Sequence, residues 1–452
     1  MVTRNFFSHG RNLAPGTPIA SRFSAQTPLS VVVVAIAFWV SCSPHSGDLA
    51  IAQVSPPSAD AARYLDEARA ALVRRDAQAA IRAYNSAVEA DPTNAEVRFA
   101  RGYFMHGAIK AAADETSRQT ARNIARTDYQ YIIANAPESV LAGLARDALA
   151  LLDGTEALPE VAYTCPEAAR REHAEGYRFF MVKQYSEART RYQKAVELCP
   201  ENGTFWIHYG DVYFALGDYK QAKTVFIEGL NREPWNRTGH RFVSDAELRL
   251  GNVEAAYHRA VLAVLSDPTY EAGWAFLKDI TTRLNGEWNR VPNLRPSVSI
   301  DRDGQPRVVL PFDHKKLPEG EGFFWVGVGF AEVSELRGYL QEPATADSEN
   351  KPHVPDRNIS SPRLNRERRI MGRALDFAGG EIAKDPVKNS KAFRFFANAQ
   401  KDGYLDEAIF INLLNKELAP EYVTYREKNR DRLVRYVETM LAPITRAAAP
   451  PR

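Results

Sequence analysis

The sequence predicts a mainly α protein in which a solenoid of paired helices is followed by a small β-hairpin and a helical carboxy-terminal module. Three observations support this fold class. Four prolines recur at one constant interval, at Pro166, Pro200, Pro234 and Pro268. Small and aromatic residues recur in the same register between these prolines. After Leu284 the period stops, and short apolar runs with other spacings take its place.

The composition is ordinary for a folded chain and excludes several classes of protein. Of the 452 residues, 45% are hydrophobic and 25% charged, which excludes wholesale disorder. There is one long apolar run, so a polytopic membrane protein is excluded as well. Residues 1–52 hold three basic side chains and one acid, and the remainder carries 55 of each. A neutral chain lacks the field that attracts nucleic acid, so no nucleic-acid partner is expected.

Residues 1–52 are predicted to be an export signal. No acidic residue precedes Asp48, and residues 29–40 form an unbroken, almost wholly apolar run. As a helix this run would span about 18 Å, which is short for a bilayer core of roughly 30 Å but typical of a signal peptide. The three residues before Gln53 fit a small-x-small cleavage site. A periplasmic or envelope-associated protein is therefore expected.

Three alternatives for this segment stay open. The acid-poor, Arg-bearing start also suits an organellar transit peptide, although transit peptides are amphipathic and lack a solid apolar block. The segment could also remain as an uncleaved anchor. A lipoprotein signal would modify Cys42, although Trp39 stands where a Leu-like residue is usual. Either of the last two would attach the protein to a membrane. No other membrane span is expected.

The residues that recur with the period of the prolines predict units of two helices joined by a tight turn. Small residues recur where the two helices must approach closely, and aromatic residues recur where neighbouring units pack. Gly217 and Gly251 are expected at the turns, with Lys183 in the first copy. The recurring sets are Ala188, Ala222 and Ala256; Tyr192, Phe226 and Ala260; Ala195, Gly229 and Ala263; and Gly176, Gly210 and Ser244.

This pattern resembles the tetratricopeptide repeat (TPR) family, of an exported bacterial type, over residues 169–268. The resemblance implies a right-handed α-solenoid of three helix-turn-helix copies, with residues 271–284 as the capping helix. Residues 61–94 carry a further copy. A degenerate copy follows, because the interval from Pro92 to Pro137 is longer than the period. We assign the extra length to the first helix of that copy, which is predicted to be longer by about three turns.

The domain organisation follows from these repeats and from the segments between them. We expect two repeat blocks, a linker with a hairpin and a helical module. The predicted segments are a signal peptide (1–52), a linker (53–60), repeat block one (61–152), a loop (153–164), repeat block two with its cap (165–285), a linker with a hairpin (286–320), a helical module (321–441) that contains a polar loop (341–362), and a tail (442–452).

TPR arrays are usually protein-binding scaffolds, so the resemblance implies a groove lined by the first helices of successive units. Aromatic side chains mixed with both signs of charge suit a bound peptide or amphipathic helix. Phe180 and Phe214 are the expected central anchors, whereas Phe179 and Tyr213 are expected to point between helices. The predicted groove residues are Arg170, His173, Tyr177, Phe180, Ile207, Asp211, Phe214, Arg241, Asp245 and Leu248.

Two further features of the repeats bear on the partner. One variant of the family binds a peptide carboxylate through Lys and Asn, but here His173 and Tyr177 occupy those positions. A chaperone-tail adaptor is therefore disfavoured. Arg118, Arg122 and Arg126 give one helix a basic face, which we interpret as a solvated surface.

The carboxy-terminal part reads as a hairpin followed by helices. Residues 298–300 and 307–310 flank Asp303-Gly304, which is a hairpin signal. An apolar helical stripe follows, at Phe323, Val326, Phe330, Val333, Leu336 and Leu340. The arginines of residues 363–373 are interpreted as a solvated helix face. Residues 403–408 and 425–436 resemble a helical module found behind short repeat arrays in bacterial proteins of unassigned role, and the resemblance implies no activity.

The sequence predicts no catalytic residue, metal site or cofactor. It contains neither the Gly-Lys of a phosphate-binding loop nor the His-Glu of a zincin helix. Cys165 and Cys199 each precede a repeat proline and are separated by one period. Equivalent positions on adjacent repeats are usually too far apart for a bridge, but an oxidising compartment would permit one, and a disulfide stays open.

The resulting functional hypothesis is a non-catalytic exported scaffold that binds a protein or peptide in its groove, in a cell-envelope assembly. The alternative is an enzyme or enzyme subunit with its site in residues 286–441 and with repeats that recruit the substrate. That alternative requires a cleft of carboxylates with perturbed pKa values, which sequence does not reveal. Self-association through the repeats is a third possibility.

Overall fold

The computed structural model describes residues 55–109, 112–137, 139–154, 158, 163–301, 305–312, 317–318, 320–341, 363–379 and 390–444. Helices dominate this part of the chain, and the mainly α prediction is confirmed. Two compact units divide between residues 128 and 129, and each is treated by itself. The predicted signal segment with Cys42, the hairpin turn at 302–304 and residues 342–362 of the polar loop lie outside the described residues.

The first unit contains the first repeat and most of the degenerate one. Its helices are α1 (Ala59–Val73), α2 (Ala77–Ala90), α3 (Ala95–Ala108) and α4 (Glu115–Asn135), of which α4 continues past the unit boundary. Ala68 and Ala80 are fully buried where α1 meets α2. Two arginines of α3, Arg98 and Arg101, bind the buried carboxylate of Asp128 on α4, at 3.1 and 2.8 Å.

The long helix of the degenerate repeat is its second helix, so its assignment to the first helix was wrong. α3 has 14 residues, whereas α4 has 21. The extra residues precede the stretch that matches the repeat, and they extend α4 at its amino-terminal end. Arg118, Arg122 and Arg126 therefore lie on the second helix, where Arg118 pairs with Glu115 at 2.8 Å.

The second unit begins with the end of α4 and continues with α5 (Val140–Asp153). Three helix pairs follow, and α12 closes the array. The helices are α6 (Glu167–Met181), α7 (Tyr185–Leu198), α8 (Gly203–Ala215), α9 (Tyr219–Arg232), α10 (Arg237–Arg249), α11 (Val253–Ser266) and α12 (Glu271–Arg283).

The turns and connections of the repeats follow the period seen in the sequence. Lys183, Gly217 and Gly251 have φ angles of 61°, 80° and 82°, a left-handed conformation that favours glycine. The carbonyl of each connecting proline accepts a hydrogen bond from a side chain in the first helix that follows. These pairs are Pro92 with Arg98, Pro200 with Trp206, Pro234 with His240, and Pro268 with Trp274.

Helix α5 packs against α12, so the two predicted repeat blocks are not separate at residue 152. In the preceding repeats Asn202 and Asn236 cap the first helix with their side chains. Tyr270 occupies the equivalent position before α12 and provides no such cap. Instead, Asp147 of α5 accepts from the backbone N–H groups of Glu271 and Ala272, at 2.9 and 3.1 Å.

The carboxy-terminal module packs on the last repeat. Strands β1 (Ser297–Ile300) and β2 (Pro306–Val309) form the predicted antiparallel hairpin, with Val298 opposite Val308. The helices are α13 (Glu321–Gln341), α14 (Arg363–Gly379), α15 (Lys391–Lys401), α16 (Leu405–Leu413), α17 (Ala419–Lys428) and α18 (Arg430–Tyr436), and a π-helical turn (Val437–Leu441) ends α18. Their apolar residues share one core with α11 and α12. The hydroxyl of Tyr257 on α11 donates to the Ala442 carbonyl at 2.7 Å.

One prediction about this module was wrong. Phe323 and Phe330 of the expected apolar stripe are each 64% exposed, whereas Phe324, Trp325 and Val328 are buried. Val333 of the stripe is buried, so the prediction fails at its two phenylalanines. Three arginines of α14, Arg368, Arg369 and Arg373, lie on an exposed face, and they also form ion pairs with other helices. The ion pairs of the α14 arginines are Arg366 with Glu332, Arg368 with Asp406, and Arg369 and Arg373 with Glu335.

Among the helices of the described residues, none combines the length and the apolar character that crossing a membrane requires.

Candidate partner-binding groove

The candidate groove is formed by α6, α8 and α10, the first helices of three successive repeats. Tyr177, Asp211 and Asp245 are spaced by one repeat period each and occupy equivalent positions on these helices. Tyr177 packs against the cluster that contains Tyr192 of α7 and Val212 of α8, and Asp245 pairs with Arg241 on α10 at 3.0 Å. The repeat register therefore brings Tyr177, Asp211 and Asp245 to one face.

Five of the ten predicted groove residues keep solvent-accessible surface. Four of them are half-buried, and Arg170 is exposed. Tyr177 and Phe180 also pack against the apolar cluster between α7 and α8. The half-buried side chains are Tyr177, Phe180, Asp245 and Leu248. Side chains that are packed at one end and accessible at the other suit the lining of a groove.

The prediction was wrong for His173, which is a core residue. It stacks on Phe205 with ring centroids 4.4 Å apart, and its Nε2 lies 2.6 Å from Nδ1 of His208. Burial lowers the pKa of His173 to about 3, and the pKa of His208 is also lowered by burial. Both rings are therefore neutral at pH 7, and one nitrogen of the pair donates to the other.

The prediction was also wrong for Ile207 and Phe214. Both belong to the apolar cluster around Phe226 and Phe242, and Phe214 is 6% exposed. The side chain of Ile207 packs directly against Gly229 and Gly239. A β-carbon added to either glycine would collide with it, so the absence of side chains at these positions makes room for Ile207. The helices approach so closely at these glycines that Ile207 is covered.

Asp211 and Arg241 form a buried polar centre at the middle of the array. They are 3% and 1% exposed. Arg241 pairs with Asp245 at 3.0 Å and lies over the ring of Phe242 at 4.4 Å. Within the described part of the chain, Oδ1 of Asp211 and Nε of Arg241 make no hydrogen bond. The sequence placed both residues on the correct face but did not indicate their burial.

Two residues of this centre were not predicted. Tyr270 lies beside the Arg241 guanidinium, and the Arg237 guanidinium lies over the Tyr270 ring at 5.1 Å. Asp147 extends the centre from α5 and lies near both Tyr270 and Arg237. Tyr270 could have been found, since it replaces the capping asparagine of earlier repeats. Nothing in the sequence signals Asp147, which lies 124 residues before the helix that it caps.

Burial raises the pKa values of the three carboxyl groups of this centre. The pKa of Asp245 rises to about 6, an effect opposed by Arg241. The pKa of Asp147 rises to about 7, opposed by Arg237 and by the two backbone N–H groups. The pKa of Asp211 is also raised by burial, with Arg241 acting in the opposite direction. Burial therefore outweighs the stabilisation that the arginines give to the charged carboxylates.

Cys165 and Cys199 form a disulfide, the pairing that the sequence left open. Their sulfur atoms are 2.03 Å apart and their Cα atoms 5.6 Å apart. The distance expected between Cys165 and Cys199 was too large because the two residues were placed at equivalent points on neighbouring repeats. They lie instead just before α6 and just after α7, and the antiparallel helix pair brings these two ends together.

The buried carboxylates of the carboxy-terminal module, where the alternative hypothesis placed an enzyme site, are held in structural contacts. Glu321 accepts from the hydroxyl of Ser390 and from the first N–H groups of α15. Glu367 pairs with Arg295. Glu407 accepts from Tyr425 and Arg432. These contacts account for the three acids as parts of the fold.

Family models identify the repeats. A model described as "TPR repeat" matches residues 176–217, and models described as "Tetratricopeptide repeat" match residues 204–234 and 65–118. The matched segments cover most of α1 to α3 with the start of α4, and the end of α6 through α9, whereas α10 of the groove lies outside them. No curated protein matches the sequence.

Three solved structures illustrate what the chain is similar to. The first TPR of Spaghetti (RPAP3), bound to the HSP90 peptide SRMEEVD, is 18% identical and covers 26% of this chain and 94% of its own, with a TM-score of 0.25. TTC0263, a TPR protein of Thermus thermophilus, is 15% identical over 49% and 98%, with a TM-score of 0.22. YrrB, a TPR protein with an unusual peptide-binding site, is 15% identical over 48% and 92%, with a TM-score of 0.24. Similarities of this size support no inference about the partner.

The period of the sequence, the paired helices with left-handed turns and the matches of three family models agree with one another. Residues 65–118 and 176–234 of the chain are therefore tetratricopeptide repeats.

Proposed function

We propose that this chain is an exported scaffold that binds a segment of another protein along α6, α8 and α10. The observation that carries the proposal is the row of partly accessible side chains, Tyr177, Phe180, Asp245 and Leu248, on successive first helices. A groove that mixes aromatic, aliphatic and acidic groups suits an extended peptide or an amphipathic helix. The proposed role is non-catalytic.

Export is the second part of the proposal. The disulfide between Cys165 and Cys199 supports it, because such bonds persist in oxidising compartments and are rare in the cytosol. Mass spectrometry of the protein isolated from its own cells is expected to find an amino terminus near Gln53. A terminus at lipid-modified Cys42 would establish the anchored alternative, and an intact Met1 in the cytosol would contradict both.

Affinity capture from the envelope fraction tests the groove. The wild-type protein should retain a partner, and Tyr177→Ala combined with Phe180→Ala should release it. Thr190→Ala combined with Gln193→Ala is the matched control, since both residues are exposed on α7, the second helix of the same repeat. If the control loses the partner as readily as the groove variant, or if neither variant does, recognition lies outside the groove.

A further inference from the structure

The polar centre of the groove contains an excess of buried acid. Asp211 and Asp245 lie beside Arg241, and Asp147 adds a third carboxyl group near Tyr270. Arg241 forms an ion pair with Asp245. A second arginine, Arg249, also acts on Asp245, whereas Arg237 forms an ion pair with Asp267 outside the centre. Three acids therefore share a centre with two arginines, Arg241 and Arg249.

Asp211 is the member of this centre that the fold leaves unsatisfied. Its side chain is 3% exposed, and Oδ1 makes no hydrogen bond within the described residues. Nε of Arg241, on a side chain that is 1% exposed, is also without a hydrogen bond there. Burying polar atoms without partners is unfavourable, and natural chains accept that cost mainly at functional sites. Asp211 shares its repeat position with Tyr177 and Asp245, which keep accessible surface, whereas Arg241 shares its position with the core residues His173 and Ile207.

A metal ion is not the cation that this centre fits. In the described part of the chain, the one group of side chains close enough to share a metal ion is Cys165, Cys199 and Glu201, which contains the disulfide. The three aspartates do not form such a group. The surroundings of Asp211 instead combine the carboxyl group of Asp245 with the aromatic ring of Tyr192. Acids beside aromatic rings suit a guanidinium or an ammonium group.

We propose that the groove recognises its partner through an Arg or Lys side chain, which Asp211 and Asp245 bind between α8 and α10. This inference rests on the proposed function and specifies the chemistry of the same groove. The incoming cation supplies the hydrogen-bond donors that Oδ1 of Asp211 lacks. The flanking residues Phe180 and Leu248 contact the apolar residues on either side of it. The expected ligand is a segment with one basic residue between apolar ones.

The competing explanation is that Asp211, Arg241 and Asp245 form an ion network that only stabilises the fold. The two explanations differ in what Asp211→Asn does. If Asp211 serves the fold, removing its charge should lower the thermal midpoint and leave ligand preference unchanged. If Asp211 serves binding, the variant replaces a buried carboxyl group that the fold leaves unsatisfied, so its thermal midpoint should stay the same or rise while binding weakens.

The experiment measures fluorescence anisotropy of the purified full chain with four labelled short peptides of equal length. Each peptide carries one Phe and one Leu around a central Arg, Lys, Gln or Glu. The Arg and Lys peptides are expected to bind at least tenfold more tightly than the Gln peptide. Asp211→Asn should abolish that preference without lowering the thermal midpoint. Glu254→Gln, an exposed acid on α11, is the control and should preserve the preference.

Three outcomes would overturn the inference. In the first, the four peptides bind equally well and the captured partner displaces them. The groove would then bind its partner, but a basic residue would not be what it recognises. A preference that Asp211→Asn retains would place the recognition of charge elsewhere. Failure of all four peptides to bind, together with capture that the Tyr177/Phe180 variant does not change, would contradict the proposed function as well.

Discussion

At the scale of single residues, the repeat register identified a face of each first helix but not what covers that face. The register is a property of the sequence, whereas burial depends on how closely the next helix approaches. At Ile207 and Phe214 that approach is set by glycines on other helices and by residues of the next repeat. Tyr177 and Asp245 occupy the same face and remain accessible.

Phe214→Ala is expected to lower the free energy of unfolding by about 3–5 kcal/mol, because it opens a cavity among Phe226, Phe242 and Val243. Tyr213→Ala should cost less, since Tyr213 is only partly buried and its hydroxyl bonds to Tyr209 at 2.9 Å. Urea denaturation of the two variants compares them directly. A larger loss of unfolding free energy for Tyr213→Ala than for Phe214→Ala would indicate that Phe214 lines the groove and is not a core residue.

The His173–His208 pair is expected to make the protein sensitive to acid. Because the pKa of His173 in the folded protein, about 3, lies below its ordinary 6.5, unfolding takes up protons in this range. Stability should therefore fall as the pH drops from 6.5 towards 3, and the pair should have no effect above 6.5. Buried acids such as Asp147, with raised pKa values, act in the opposite direction.

A variant isolates the contribution of the histidines from that of the acids. The stability advantage of the wild type over His173→Gln should shrink steadily as the pH falls below 6.5. Thr190→Ala is the control, because Thr190 is exposed on α7 and its side chain does not titrate, so its difference from the wild type should stay nearly constant. An advantage over His173→Gln that does not change with pH would show that the pair is not buried as neutral rings.

At the scale of helices, the sequence predicted the pairs and their turns because these are local. Pro, Gly and small residues specify a helix hairpin within a single repeat. The contact of α5 with α12 joins segments that lie far apart in the chain and has no periodic signal. Acids that cap helix ends from distant positions in the chain also have no periodic signal. Asp147 caps α12, Glu321 caps α15 and Glu421 caps α14.

Gly143→Ala is expected to destabilise the protein by loosening α5 from α12. A β-carbon at Gly143 would lie 2.8 Å from Cα of Ala272, and the backbone there cannot give way cheaply. Gly372→Ala is the matched control within another helix, since nothing lies within 4 Å of its added carbon. The control should be neutral or stabilising by up to about 1 kcal/mol. Thermal unfolding that ranks the two variants in the reverse order would contradict the α5–α12 contact.

Removal of the disulfide by Cys165→Ser with Cys199→Ser is expected to lower stability by about 3–4 kcal/mol. The bond closes a loop across a sequence separation of 34. Without the bond the unfolded chain has more conformational freedom, and the length of this loop sets how much stability is lost. Denaturation with and without reductant provides the check. Reductant should lower the stability of the wild type and leave the double variant unchanged. An equal response of the two proteins would show that the thiols are free.

At the scale of the whole molecule, the order of segments was predictable and their packing was not. The hairpin and the helices of the carboxy-terminal module occur where the sequence placed them. Their union with α11 and α12 in one core was not foreseen, because the capping helix was expected to end the array. Tyr257 and Tyr422 donate to carbonyls across this junction. The groove residues thus belong to a unit that the carboxy-terminal module completes.

The most direct test of the central claim is photocrosslinking in the organism's own cells. A photoreactive phenylalanine analogue replaces Tyr177 on α6 in one strain and Gln193 on α7 in another. The account predicts one specific crosslinked protein at position 177, absent at 193, with the crosslink mapped to a segment that contains Arg or Lys beside apolar residues. Crosslinks at 193 but not at 177 would show that this array does not bind its partner in the groove.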